Sequence, residues 1–351
     1  MAIEAWLITT VLLLLGPSPI RGRDAHVINF RSPNLYPESL TWDPEAKQFL
    51  MGSLRQRRIV GVSEKGVVET LITDRELPVG ASFLGVAVDR PRNRVLAVVH
   101  CRDSVPWVNA LAAYDMGSRR RMFLSGLPSE EMDAAKDVAV DEVGNGFVTN
   151  SGGNLIWKVS REGWAWIFSR CGMGTYERSL GVGLNGITYV SKGYLLVVQS
   201  SSGKVFKVDS EDGTARNVFL NHDLLGAEDI AVRNDGAAVV VSPFKHLWLL
   251  KTIDNWSQAS VYDTVPVNVH RYPTSVVIGD KDRVYVLYGH LDEARMGFSG
   301  RDRFGIAELR SKKELHQHSI WIFLLIAIAF AYFCFWRFQI RHLVHKMDKL
   351  N

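Results

Sequence analysis

Cysteine is scarce: three occur in 351 residues, Cys101, Cys171 and Cys334. Three thiols spaced so widely make neither a disulfide scaffold nor a cysteine-based zinc site. A strong excess of one charge is also missing. The 41 Lys and Arg against 37 Asp and Glu leave a formal +4, and that surplus sits at the ends. Residues 310–351 hold seven basic and two acidic side chains, whereas residues 24–309 hold 32 basic and 34 acidic. A mildly acidic body argues against a nucleic-acid binder that works by neutralising phosphates. Sustained 3.6-residue periodicity is absent outside the termini, so long amphipathic helices are not expected. No G-x-S-x-G elbow, H-E-x-x-H pair or P-loop is present. The G-x-G-x-x-G run at 181–186 leads into an apolar strand instead of opening a helix, which makes it a loop. The 47% hydrophobic content with 22% charge, 29 Gly and 12 Pro fits a folded globular chain.

Two apolar runs mark the ends. Trp6 to Leu15 is followed by Gly16-Pro17-Ser18-Pro19, a pattern of secretory leaders, with an uncleaved anchor as the other reading. Ile320 to Trp336 is unbroken and flanked by Trp321, Tyr332 and Trp336, which suits a membrane span with interfacial aromatic anchors. The expected layout is a signal peptide at 1–23, a body at 24–310, a stalk at 311–319, a transmembrane helix at 320–340 and a short cytosolic tail at 341–351. That is a type I single-pass protein of a secretory-pathway membrane (endoplasmic reticulum, vacuole or cell surface), its body lumenal or extracellular. Asn255-Trp256-Ser257 is the one N-glycosylation sequon, so Asn255 is the expected glycan site.

Between the ends the chain repeats itself. Six short apolar strands with a polar or small lead recur: Glu38–Trp42, Leu84–Val88, Lys136–Val140, Asn185–Tyr189, Glu228–Val232 and Thr274–Ile278. Each is followed by a polar turn and further short strands, such as Val95–Val99, Leu155–Val159 and Val218–Leu220. Four short strands per unit of roughly 40–50 residues is the pattern of propeller blades. The expected fold is all-β: a six-bladed β-propeller of four-stranded blades with a C-terminal transmembrane helix. The last unit lacks a fourth strand, and His26–Phe30 is the spare apolar piece expected to supply it and close the ring.

In such a ring the lead residues Glu38, Leu84, Lys136, Asn185, Glu228 and Thr274 converge on the axis, with Asp137 and Asp229 one step in. Carboxylates and a carboxamide brought together from distant segments suit a hard cation, Ca²⁺ with Mn²⁺ or Mg²⁺ as alternatives. The plainer reading is bound water, or an ion pair of Lys136 with Glu228. The longest connections, 101–110 with Trp107, 171–183 and 290–303, fall at the same end and read as a substrate entrance. His100, Asn150, Gln199 and Ser242 end the second strands there, which makes His100 the candidate general base and Asn150, Gln199 and Trp107 candidate substrate contacts. Cys101 and Cys171 both precede entrance loops, so pairing between them is open.

These residues resemble the senescence-marker/gluconolactonase family, six-bladed propellers of the calcium-dependent phosphotriesterase superfamily, with paraoxonases and strictosidine-synthase-like proteins more distant. The resemblance covers about residues 25–310 and rests on the Glu38-led first unit, Leu184-Asn185-Gly186 and the acidic start of the fifth unit. Tyr36–Asp43 and Val286–His290 are most similar to plant membrane-anchored members. The family binds its metal through a Glu, an Asn before Gly and an Asp before Gly. The resemblance therefore implies a Ca²⁺ site at Glu38, Asn185 and Glu228, with Asp229 in place of the Gly. It also implies hydrolysis of a lactone or ester. Lys136 stands where relatives place a substrate-contacting Asn, with Asp137 kept after it. The alternative is a non-catalytic propeller binding a ligand or protein partner; a metal-free relative using Glu228 as acid or base is the third reading.

Overall fold

The computed structural model describes residues 26–101, 108–128, 134–171, 183–244 and 246–348. The repeats become antiparallel sheets of four strands, at 41–73, 82–126, 135–170, 184–220 and 229–266, and at 273–309 together with Val27–Arg31. Two of these, 184–220 and 229–266, run on into one eight-stranded sheet through a short parallel pairing, Phe219 with Gln258 and Leu220 with Ala259. Each unit's lead strand touches the lead strand of the next. The strand Pro273–Ile278 returns to touch Thr41–Asp43. This is a propeller arrangement of four-stranded sheets.

The burial patterns follow from that arrangement. Second strands such as Arg94–Cys101, Gly146–Asn150 and Ala238–Val241 are buried along their whole length, because neighbouring sheets cover both faces. That is why they read in sequence as unbroken apolar runs. Fourth strands such as Arg121–Gly126 and Ala215–Leu220 alternate or open to solvent, as outer strands must. The hairpin turns after three lead strands place Gly144, Gly193 and Gly236 at φ of 94°, 87° and 82°, where a side chain would be strained.

The last unit contributes only three strands, ending with Arg303–Leu309. The N-terminal strand Val27–Arg31 pairs with it in register from Val27–Ala307 to Arg31–Arg303. Ile28 and Phe30 point into a core shared with Leu35, Tyr36, Phe49 and Tyr285.

After Leu309 only Arg310 and Ser311 precede a helix, Lys312–Asp348, so residues 312–319 are helical and continuous with the apolar stretch. Its segment Leu324–Leu343 is long and apolar enough to cross a membrane, with mean hydropathy 1.4. The start of this helix is clamped to the 229–266 sheet. Ser311 Oγ donates to Asp263, and Arg233 Nη1 reaches Glu314 at 3.0 Å. The Tyr262 hydroxyl donates to the same Glu314 carboxylate, and Lys313 Nζ donates to the Tyr262 carbonyl at 2.8 Å.

Candidate functional site

The lead residues converge as the repeats require. Glu38, Ser39, Lys136, Asp137, Asn185, Glu228, Asp229, Thr274 and Ser275 line one cavity of about 10 Å³. That is the room of a single water-sized occupant. Lys136 Nζ lies against Glu38 Oε1, and Asn185 Nδ2 donates to Glu228 Oε2 at 2.8 Å and to Ser200 Oγ at 3.0 Å. The lysine's hydrogen-bonded partner is Glu38, while Glu228 holds the Asn185 amide and attracts the ammonium through its charge. Glu38 Oε2 is buried and has no hydrogen-bond partner among the described residues. Burial lowers the Lys136 pKa from its usual value, opposed by the carboxylates of Glu228, Asp137 and Asp229.

The position after each lead residue has a different task. Ser39, Gly85, Asp137, Gly186, Asp229 and Ser275 form that column. Four of them accept the backbone N–H of the next lead strand. Val86 N donates to Ser39 Oγ at 3.3 Å, and Ile187 N to Asp137 Oδ2 at 3.1 Å. Val276 N donates to Asp229 Oδ2 at 2.9 Å, and Leu40 N to Ser275 Oγ at 3.0 Å. The two glycines make room: a Cβ on Gly85 would collide with Asp137, and one on Gly186 with Asp229. Asp137 and Asp229 are thus staples between sheets, and Asp229 Oδ1 is also engaged by Ile230 N at 2.7 Å. Ser39 and Ser275 escaped the sequence reading of the site, whereas Thr274 was among the expected lead residues. Aligning the second column of the repeats would have found the two serines.

A divalent ion needs several hard oxygens free to turn toward it. Here Glu38 is matched with an ammonium inside the cavity, Asn185 presents its N–H to Glu228, and Asp229 is spent on backbone N–H groups. Among the described residues, no group of three or more His, Cys, Asp or Glu is placed to hold a metal. The donor set does not fit a divalent cation.

No known family model matches the sequence, and no curated protein resembles it. Solved structures do. The major allergen Mala s 1 of Malassezia sympodialis matches with a TM-score of 0.68 at 18% identity, over 82% of this chain and 96% of that one. A gluconolactonase from Xanthomonas campestris matches at 0.56 and 15%, over 82% and 90%. A luciferin-regenerating enzyme matches at 0.54 and 14%, over 82% and 98%. At such identities the likeness is one of fold. The chain is a β-propeller. Its fold is shared with gluconolactonase-like propellers.

Other residues singled out from the sequence sit in the propeller's walls. His100 Nδ1 is 2.7 Å from Asn109 Oδ1, which also accepts Ala135 N–H at 3.0 Å, and His100 does not line the ring cavity. Asn150 Oδ1 accepts the N–H groups of Ala134, Gly152 and Gly153 at 2.8–3.1 Å. Gln199 Nε2 donates to Asn154 Oδ1 at 3.0 Å, and Gln199 Oε1 accepts from Ser202. Ser242 Oγ donates to Leu225 O at 3.3 Å. These strand-end polar groups shape the loops that follow them. Trp107 lies outside the described residues. Cys101 and Cys171 are separate buried thiols, and burial pushes the Cys171 thiol up to about 12. Asn255 is exposed in a turn at φ 58°, anchored by the buried Trp256.

The opposite end of the tunnel is wide. Asp89, Asp141, Tyr189, Lys192, Arg233 and Asp235 belong to the wall of a cavity of about 1050 Å³ at the far ends of the lead strands. Arg233, which holds Glu314 of the terminal helix, is part of that wall, so the wide end and the helix share one side of the propeller.

The crowded ring predicts a pH dependence. Burial pushes the Asp229 carboxyl up to about 6, and burial followed by the Asp229 charge pushes Asp137 well above its ordinary value. Both groups hold protons in the folded state that the unfolded chain releases near pH 4. Their contribution is complete below that pH and is lost as pH rises, through about 6 for Asp229. Thermal midpoints of the full-length protein are expected to fall as pH rises from about 4 to about 6. Asp137→Asn is expected to flatten that fall; an unchanged slope in the variant would remove Asp137 as its source.

Proposed function

We propose that this chain is a membrane-anchored, six-bladed propeller, closed by its N-terminal strand, that binds a ligand or protein partner at its loop-bearing end and is not a metal-dependent hydrolase. The terminal helix is the anchor in a secretory-pathway membrane, with the propeller on the lumenal or extracellular side. One observation carries the reading. The ammonium of Lys136 rests on Glu38 inside a cavity of about 10 Å³, so the ring's charges are matched to each other.

Glu38, Asn185 and Glu228 nevertheless share one cavity, and that convergence favours a second reading, hydrolysis of a lactone or ester. The deciding assay is turnover of a lactone and ester panel by the full-length protein in detergent, alongside Glu228→Gln. The expected result is no turnover above that variant. Saturable turnover that disappears in Glu228→Gln would establish the hydrolase instead. For the binding reading, replacing the exposed Met296 and Phe298 of loop 290–303 with Ser is expected to abolish partner cross-linking, while the buried Leu291 and Ala294 keep the core intact.

A further inference from the structure

The ring gathers four carboxyl groups, Glu38, Asp137, Glu228 and Asp229, around one ammonium and one carboxamide. Two of the carboxyls are tied into backbone staples, which leaves Glu38 and Glu228 as the acceptors facing the cavity's centre. Glu228 has the Asn185 amide on one oxygen. Glu38 has Lys136 on one oxygen, while the other is buried without a hydrogen-bond partner among the described residues. The side chains of Lys136 and Glu38 are 13% and 9% exposed, so little water reaches the pair.

We infer that Lys136 is the resident cation of the ring: its ammonium rests on Glu38 in the cavity that Glu228 also lines, and it excludes divalent ions from that cavity. This rests on the reading that the propeller is not a metal-dependent hydrolase. Lys136 comes from the third unit and Glu38 from the first, 98 residues apart, so the lysine spans the axis and links two sheets. A covalently attached cation cannot be stripped by a chelator, and the ring's charge balance is therefore independent of ion supply. A second consequence concerns what the lysine conceals. With the ammonium gone, both oxygens of Glu38, the outer oxygen of Glu228 and an Asn185 amide free to rotate would surround the vacated space. That is a set of hard oxygen donors suited to Ca²⁺.

The test is thermal unfolding and calorimetric titration of the full-length protein in detergent, with EDTA and then with CaCl₂, MnCl₂ or MgCl₂ alone. The wild type and Lys136→Arg, which keeps a cation, are expected to show no saturable ion-dependent shift. Lys136→Asn is expected to unfold several degrees lower in EDTA and to recover in a saturable way with Ca²⁺, and adding Glu38→Gln should abolish the recovery. An EDTA-reversible gain in the wild type would overturn the inference, as would a folded Lys136→Asn that ignores all three ions. If Lys136→Asn does not fold in EDTA, refolding it in Ca²⁺ gives the same decision: rescue supports the inference and no rescue overturns it. The two proposals fail separately. Turnover by an ion-insensitive wild type would sink the binding reading alone, whereas ion-dependent stability without turnover would sink this one alone.

Discussion

Arg94→Met is expected to destabilise the propeller by about 3–5 kcal/mol, the cost of breaking a buried ion pair from one side. Arg94 and Asp89 are each 2% exposed and meet at 2.9 Å. The same guanidinium donates to the carbonyls of Arg161 at 2.7 Å and Gly144 at 2.6 Å, so one side chain of the second sheet holds two loops of the third. Methionine fills comparable volume but donates nothing. Asp89 would keep only Arg92, at 3.0 Å and partly solvated, and the two carbonyls would lose their donor. In thermal unfolding the loss corresponds to roughly 2 °C per kcal/mol for a domain of this size. Adding Asp89→Asn is expected to recover part of it, because the uncompensated charge is then gone. A single-variant loss below about 1 kcal/mol would show that the pair is not stabilising.

Phe30→Ala is expected to cost about 3–5 kcal/mol as well, through a cavity in the core under the N-terminal strand. Phe30 is 3% exposed, stacks on Phe304 at 5.9 Å and lies opposite it in the strand register. The consequence goes beyond a cavity. Loosening Val27–Arg31 uncovers the backbone groups of Arg303–Leu309, and an uncovered edge invites pairing with another chain. Chemical denaturation should therefore show the loss, and size-exclusion chromatography should show oligomers that the wild type lacks. Arg31→Ala serves as control. Its salt bridge to Asp302 is at the surface, with Arg31 73% exposed, so removing it is expected to cost under about 1 kcal/mol. A Phe30→Ala protein as stable and monomeric as that control would mean that the N-terminal strand is dispensable.

The strands were legible because each is a short apolar run between polar turns. Leu155–Val159 coincides with the expected bounds, and Arg94–Cys101 extends beyond Val95–Val99 by flanking residues that also pair. The convergence of the lead column was legible too, since equivalent positions in repeats reach the same axis. The use made of strand-end residues was not. Asn150 and Gln199 read as substrate contacts from their position, yet a polar group two or three residues before a tight turn serves equally well as its cap. Only the backbone path at Gly152, Gly153 and Ser202 distinguishes the two uses.

What the sequence by itself determined is the repeat: pleat periodicity and turn chemistry are local, so sheets of four strands and a terminal apolar helix follow from neighbours in the chain. What only the tertiary structure decided is how converging charges pair. Lys136 shares a cavity with both Glu38 and Glu228; it rests on Glu38, and the Asn185 amide reaches Glu228 from another strand. The two ends of the tunnel, about 10 Å³ and about 1050 Å³, were decided the same way. Such volumes depend on how closely sheets approach across the axis, and that distance is set by side chains far apart in sequence.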